Sequence, residues 1–195
     1  MAGEAVSTKR LTLRQFRSSD RAPFAALNAD SAVMELFPRP LSYAESDQLA
    51  DRIEAHWRAR GFGLWALEVT ATGSFIGFTG LSVPGFQAAF TPAVEVGWRL
   101  ARVAWGFGYA TEAGSASLRF GFHDLGLQEI VSFTSQLNHR SRAVMERLGM
   151  VHRGEDDFRH PNLPLDHALS QHVLYRISRQ RWQSLPRMAE FSEES

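Results

Sequence analysis

No cysteine occurs among the 195 residues, which excludes disulfides, Cys-ligated zinc, iron–sulfur clusters and a protein thiol nucleophile. Lysine is almost as scarce: Lys9 stands alone and arginine supplies the other basic residues. An excess of charge of either sign is also missing, because 21 Lys+Arg balance 21 Asp+Glu. Without a basic surplus, neither nucleic acid nor a membrane surface is the expected partner. No apolar run approaches the ~18 residues of a membrane span, and residues 1–17 lack the apolar centre of a signal peptide. The expectation is a soluble, cytoplasmic protein. What the chain does have, 44% hydrophobic and 11% aromatic residues, excludes disorder and suits one domain with a sizeable core.

Arg10-Leu-Thr-Leu-Arg-Gln-Phe16 alternates apolar and polar residues, as a half-buried strand does. Ser18, Ser19 and Asp20 offer cap oxygens to a short helix carrying Phe24 and Leu27, which the 37–40 segment with its two prolines stops. Ser42 and Glu45 have capping-box spacing, and Leu49, Ile53 and Trp57 mark the inner face of a helix over 43–60 ended by Gly61. Strands are predicted over 62–69, 75–81 and 94–100, the first two joined by a Gly73-bearing hairpin. A helix follows over 110–125, with Ala113, Leu118 and Phe122 inward and Gly126 beyond it. A strand over 130–135, a helix over 140–148 and strands over 151–158 and 172–177 complete the pattern. The 159–169 loop is expected to cover something, and the tail from Pro186 to be loosely ordered. This succession predicts an α+β domain on one mixed, mostly antiparallel sheet flanked by helices.

The most informative stretch is Val94-Glu-Val-Gly-Trp-Arg-Leu100 followed by Trp105-Gly-Phe-Gly-Tyr-Ala-Thr-Glu-Ala113. A strand leads through a glycine loop into a helix, which aims backbone N–H groups at one spot and suits a phosphate. A dinucleotide fingerprint would need glycine where Thr111 stands, and a P-loop would need a lysine nearby. The same residues resemble the acyl-CoA motif of the GCN5-related N-acetyltransferase (GNAT) superfamily, in its ribosomal-protein N-terminal acetyltransferase-like branch. The likeness continues in Asn138-x-x-Ser141-x-x-Val144-x-x-x-Leu148-Gly-Met150, in 10–14 and in 75–81, so it spans about residues 9–178 as one domain. Residues 179–195 are then a C-terminal helical turn and acidic tail.

The resemblance implies a sheet whose two central strands splay to hold acetyl-CoA, the co-substrate. It assigns backbone groups of Trp98 and Leu100 to the pantetheine amides. Gly106, Phe107, Gly108, Tyr109, Ala110 and Thr111 fall to the pyrophosphate, and Asn138 to the pantetheine arm. Trp105 stands where the family usually has Arg or Gln, so Arg102 is the expected substitute; core packing is the alternative role for Trp98 and Trp105. The resemblance also implies an amine acceptor, no metal, and a monomer or homodimer.

Transfer to an amine needs the amine neutral and a proton for the departing thiolate. An α-amine with a pKa of about 7.7–8.0 is partly neutral at pH 7, whereas lysine at about 10.4 must lose some 4.6 kcal/mol. Glu95 is the candidate base, matching an acidic position used in parts of the family, unless it is an outward charge or half of an ion pair. Ser141 is the candidate partner of the leaving sulfur, unless it only caps its helix. Met145 holds the position where many relatives have a proton-donating tyrosine. His160, His167 and His172 cluster around the 159–169 loop without metal-site spacing, and one of them is a candidate for lining a substrate pocket. Glu155, Asp156 and Asp157 form an acidic run suited to a cationic substrate or to a solvated strand end. Arg140 and Arg142 fall near the CoA end that the resemblance implies and are candidates to meet its phosphates, unless they are simply exposed helix arginines. The expected activity is acetyl transfer to a protein or peptide N-terminal α-amine, the alternatives being a small-molecule amine (aminoglycoside or polyamine-like) or a non-catalytic CoA-binding sensor.

Overall fold

The computed structural model describes residues 5–186. A sheet of nine strands forms its centre. β1 (Val6–Ser7), β2 (Leu11–Arg14), β3 (Leu64–Val69), β4 (Ser74–Ser82) and β5 (Glu95–Leu100) pair in that order, each antiparallel to the next. β6 (Glu129–Ser135) lies parallel to β5, and β9 (Gln171–Ser178) lies antiparallel to β6. The outer edge of β9 takes two short strands, β7 (Val151–His152) and β8 (Phe158–Arg159).

Helix α1 (Arg21–Ala29) is held by Arg14, which grips Asp20 in a buried two-pronged pair at 2.7 and 2.9 Å and also reaches Glu68 at 2.9 Å. Helix α2 (Tyr43–Arg60) has the predicted capping box between Ser42 and Glu45, and Gly61 closes it at φ 72°, a left-handed turn that favours glycine. Its inner face is Ser46, Ala50, Ile53 and Trp57, with Leu49 only partly buried. Helix α3 (Tyr109–Arg119) packs on β4 and β5, α4 (His139–Arg147) lies near β6, and α5 (Arg179–Ser184) follows β9.

Two predicted elements are interrupted. The helix expected over 110–125 is α3 plus a wider π turn, Phe120–Asp124, in which the Leu125 N–H donates back to the Phe120 carbonyl. That widening sends Phe120 against Trp65 and Phe122 against Trp182. The strand expected over 151–158 is broken into β7 and β8 by a 3-10 turn, Gly154–Asp156. Its acids are anchored inward: Asp156 pairs with Arg176, and Asp157 pairs with His152 while accepting the Leu174 N–H. Of the expected C-terminal segment, α5 supplies a helical turn; the tail beyond Pro186 lies outside the described residues.

Buried side chains form two clusters. One gathers Leu11, Phe24, Ile53, Trp57 and Trp65 around β2–β4, and the other gathers Val96, Phe122, Ile130, Met145 and Tyr175 around β6 and β9. Trp98, Ala110 and Phe120 touch both, so the seam between the clusters runs beside β5 and the start of α3. No helix of the described residues is long and apolar enough to cross a membrane.

Candidate active site

The seam opens because β5 and β6 share a single register pair, Glu95 with Val131. There the Val131 N–H donates to the Val94 carbonyl at 2.9 Å, and the Ser132 hydroxyl donates to the Val96 carbonyl at 2.8 Å. Past that point the strands part. The Ala101 N–H and the Gly97 carbonyl bond toward β4, so strand alternation turns the Trp98 and Leu100 polar groups toward β6, where no strand pairs with them. The Leu100 carbonyl is already taken by the Trp105 indole N–H at 2.8 Å. The free groups are therefore the Trp98 N–H and carbonyl and the Leu100 N–H. A cleft of about 1090 Å³ fills the gap.

The glycine loop forms one mouth of this cleft. Gly106 and Gly108 sit at φ 82° and 81°, and no residue other than glycine among those described has positive φ. The first bond of α3 runs from the Glu112 N–H to the Gly108 carbonyl, and no side chain caps the helix. The N–H groups of Tyr109, Ala110 and Thr111 thus point out of the helix start without an acceptor. Nothing lies within 4 Å of a Cβ placed on Gly106, so an anion can approach the backbone there. These features fit a pyrophosphate.

The loop is fastened from behind. Glu112 is buried and accepts from the Thr8 hydroxyl at 2.7 Å, the Arg10 N–H at 2.9 Å and the Arg10 Nε at 2.6 Å. Arg10 also donates to the Phe107 carbonyl at 2.9 Å and lies 4.7 Å over the Tyr109 ring. Arg102 does not reach the cleft as expected; it projects away from the lining, 5.5 Å from the Trp105 ring. Arg140 is the arginine in that place, since it lines the cleft 4.4 Å over Trp105 and pairs with Glu35.

Glu95, Gly97 and Arg99 point to the opposite face of β5 from Val96 and Leu100. Glu95 lines the cleft, and the only hydrogen bond of its carboxyl among the described residues is a long one from the Ser82 hydroxyl at 3.5 Å. Burial pushes its carboxyl up to about 8, a shift that the Ser82 hydroxyl only partly offsets. It makes no ion pair among the described residues, so the alternative role of half an ion pair does not apply. Glu95 is also the only carboxylate lining the cleft among the described residues. Glu155, Asp156 and Asp157 lie outside that lining.

Asn138 caps α4: its Oδ1 accepts from the Ser141 N–H at 3.1 Å, and its Nδ2 donates to the Thr134 hydroxyl at 2.9 Å. Its amide is thus engaged on both ends, with one donor proton and one lone pair to spare. The Ser141 hydroxyl lines the cleft and has no hydrogen-bond partner among the described residues. Met145 is buried. His160 and His172 line the cleft with ring centres 4.9 Å apart, both imidazoles pushed down by burial; His167 lies outside it. They join an aromatic wall with Phe133, Phe158, Phe86 and Phe90. No group of three His, Asp or Glu side chains that could hold a metal gathers among the described residues. Sequence reasoning passed over Arg99 and Phe37, both in the lining; the alternation of β5 was the available signal for Arg99.

Residues 10–151 match the acetyltransferase (GNAT) domain family, and the chain belongs to it. It is an N-acetyltransferase by fold and by kinship. Over 93% of its length it is 31% identical to the FsC-acetyl coenzyme A-N(2)-transacetylase of Aspergillus fumigatus, covering 79% of that protein. The solved structure of an acetyltransferase from Agrobacterium tumefaciens matches with TM-score 0.71 and 27% identity, over 89% of this chain and 94% of that one. The ribosomal-protein-S5-alanine acetyltransferase of Vibrio fischeri shares the fold at TM-score 0.72 and 17% identity, over 92% and 98% of the two chains.

Proposed function

We propose that this protein transfers the acetyl group of acetyl-CoA to an α-amine, with both substrates bound together and Glu95 taking the amine's proton. The observation that carries this reading is the position of Glu95, the one carboxyl lining the cleft among the described residues, where burial raises it to about 8. An α-ammonium has a pKa of about 7.7–8.0, so its proton passes to Glu95 at almost no cost. From a lysine ammonium near 10.4 the same transfer climbs about 3 kcal/mol.

Acetyl-CoA supplies a thioester whose acetyl group moves to nitrogen as the thiolate leaves. The chain's own residues prepare that exchange. N–H groups of residues 106–111 hold the phosphates, while Trp98 and Leu100 offer a strand edge to the pantetheine amides. Asn138 keeps a spare donor and acceptor for the same arm, and Ser141 is free to hydrogen-bond the leaving sulfur. Phe133, His160 and His172 give the same cleft a partly aromatic lining that limits water within it.

A protein or peptide N-terminus is the leading acceptor. A polyamine or aminoglycoside is disfavoured, because the cleft offers such polycations a single, mostly protonated carboxyl. A small-molecule α-amine is the second reading, favoured by the relative named for N(2) transfer from acetyl coenzyme A. The test is thiol release from acetyl-CoA across peptides, amino acids, lysine-type amines and polyamines. Turnover is expected with α-amines, and on them a kcat/KM that rises with pH to a plateau above about 8. Tight CoA binding without turnover on any amine would favour the sensor alternative and overturn the proposal.

A further inference from the structure

We propose that Arg99 selects an acceptor bearing a carboxylate, which lies over Gly97 with its amine at Glu95 and its anion at the guanidinium. This rests on the α-amine reading above and narrows it.

Arg99 lines the cleft on the face of β5 that carries Glu95. Its Nη1 donates to the Asn28 Oδ1 at 2.6 Å, and its guanidinium lies 4.1 Å over the Phe37 ring and 5.4 Å from the Phe78 ring. These contacts fix the group in place without neutralising it. No carboxylate pairs with Arg99 among the described residues, whereas Arg14 holds Asp20, Arg21 holds Asp51 and Arg176 holds Asp156, and Arg142 and Arg179 rest on a hydroxyl and backbone carbonyls. The Arg99 Nε is enclosed and without an acceptor, and Nη2 makes no hydrogen bond among the described residues. An enclosed cation with idle donors costs stability unless something compensates it. A purely structural arginine here would be better replaced by an apolar residue between the two phenylalanines.

The cleft itself cannot compensate it. Glu95, the one lining carboxylate, is four residues away along the strand, about 13 Å between Cα atoms at 3.3 Å per residue. Burial lowers the guanidinium to about 10, so it stays charged at neutral pH. Between the two side chains Gly97 leaves the floor open: a Cβ there would meet only the Glu95 Oε1 at 3.7 Å. The floor thus carries a proton acceptor at one end and an anion receptor at the other, with a bare stretch between them. A planar guanidinium with free donors binds carboxylate in preference to neutral amides.

The carboxylate has two sources, the α-carboxylate of an amino acid or an acidic side chain next to a peptide N-terminus, and matched pairs separate them. Alanine is compared with alaninamide, and alanyl-aspartyl amide (side-chain carboxylate free) with alanyl-asparaginyl amide, by steady-state kinetics in the full chain, each kcat/KM being referred to the neutral amine. At least one acid is expected to exceed its amide partner about tenfold in kcat/KM, mostly through KM. Arg99→Gln is expected to collapse that ratio toward one and Arg99→Lys to restore part of it. The CoA-induced rise in melting temperature reports whether each variant keeps its fold. Should Arg99→Gln fail that control, product inhibition of the wild type decides, with the N-acetylated acid expected to compete better than its amide. Equal kcat/KM within both pairs, or a ratio that survives in Arg99→Gln, overturns the inference and leaves the α-amine reading standing. Turnover confined to amines that are not α-amines overturns both.

Discussion

Glu95 contributes to stability with a sign opposite to that of most carboxylates. Its pKa, raised to about 8 by burial, means that the folded chain holds a proton the unfolded chain has already released above its ordinary value near 4.5. Stability therefore declines as pH rises between those values, and the decline is complete above about 8. Glu95→Gln is expected to melt at a higher temperature than the wild type at pH 9 and at a similar one at pH 4, by calorimetry at both pH values. In kinetics the same variant is expected to lose the rising pH limb and most of kcat. Retention of the limb would show that another group takes the proton, with His172, which also lines the cleft, the next to examine. Asp20 behaves in the ordinary direction. Burial raises its pKa, but the Arg14 pair and the Arg17 N–H outweigh this and hold it low. Its contribution is present above about 3.8 and is lost as pH falls through the lower folded value. Asp20→Asn leaves Arg14 with Glu68 and a neutral amide oxygen in place of its buried carboxylate, and is expected to cost about 2–3 kcal/mol in urea unfolding at pH 7.

Among the elements, the loop between β5 and α3 depends on residues far from it in sequence. Arg10 on the approach to β2 holds both Glu112 and the Phe107 carbonyl, so the anion-facing backbone is clamped by the other end of the domain. Arg10→Met leaves Glu112 buried without its cation. A loss of about 2–3 kcal/mol is expected, moderated because Arg10 itself is 42% exposed. A weaker CoA affinity in calorimetric titration should accompany it, and an unchanged affinity would show that the loop keeps its shape unaided. Gly108→Ala forces a side chain into φ 81° and is expected to cost about 1–2 kcal/mol from conformation alone. A Cβ there would meet only the Arg10 Nη2 at 3.6 Å, so sterics add little. Elements fixed by neighbours in sequence were legible beforehand. Ser42, Glu45 and Gly61 bound α2 as their spacing predicts, and Gly106 and Gly108 take the left-handed turns that glycine permits. Elements shaped by distant partners were not. The break between β7 and β8 depends on Arg176 and His152 reaching Asp156 and Asp157, and local alternation carries no trace of either pair. Likewise Glu95 and Arg99 stood in plain view on a strand, but their charge states depend on what is packed above them. The same limit misplaced Arg102, whose direction is set by the short helical turn, Arg102–Ala104, before the loop.

For the molecule as a whole, the open seam leaves β5 and β6 joined by a single register pair, while Trp98, Ala110 and Phe120 pack against both hydrophobic clusters. A cofactor arm whose amides bond to both sides would join them. CoA at a hundred times its Kd is expected to add about 2.7 kcal/mol to unfolding. Hydrogen exchange should slow most at the Trp98 and Leu100 amides; slowing at the glycine loop alone would mean that the arm does not lie along β5. Backbone left unpaired at the rim of a sheet invites other chains to add themselves as strands. Here the vacant edges lie in the sheet's interior, with α3 on one face and the 33–38 segment over the other, so only a thin ligand threaded from the mouth can reach them. The unpaired backbone beside β5 is thus open to a threaded ligand and shielded from strand addition by another chain.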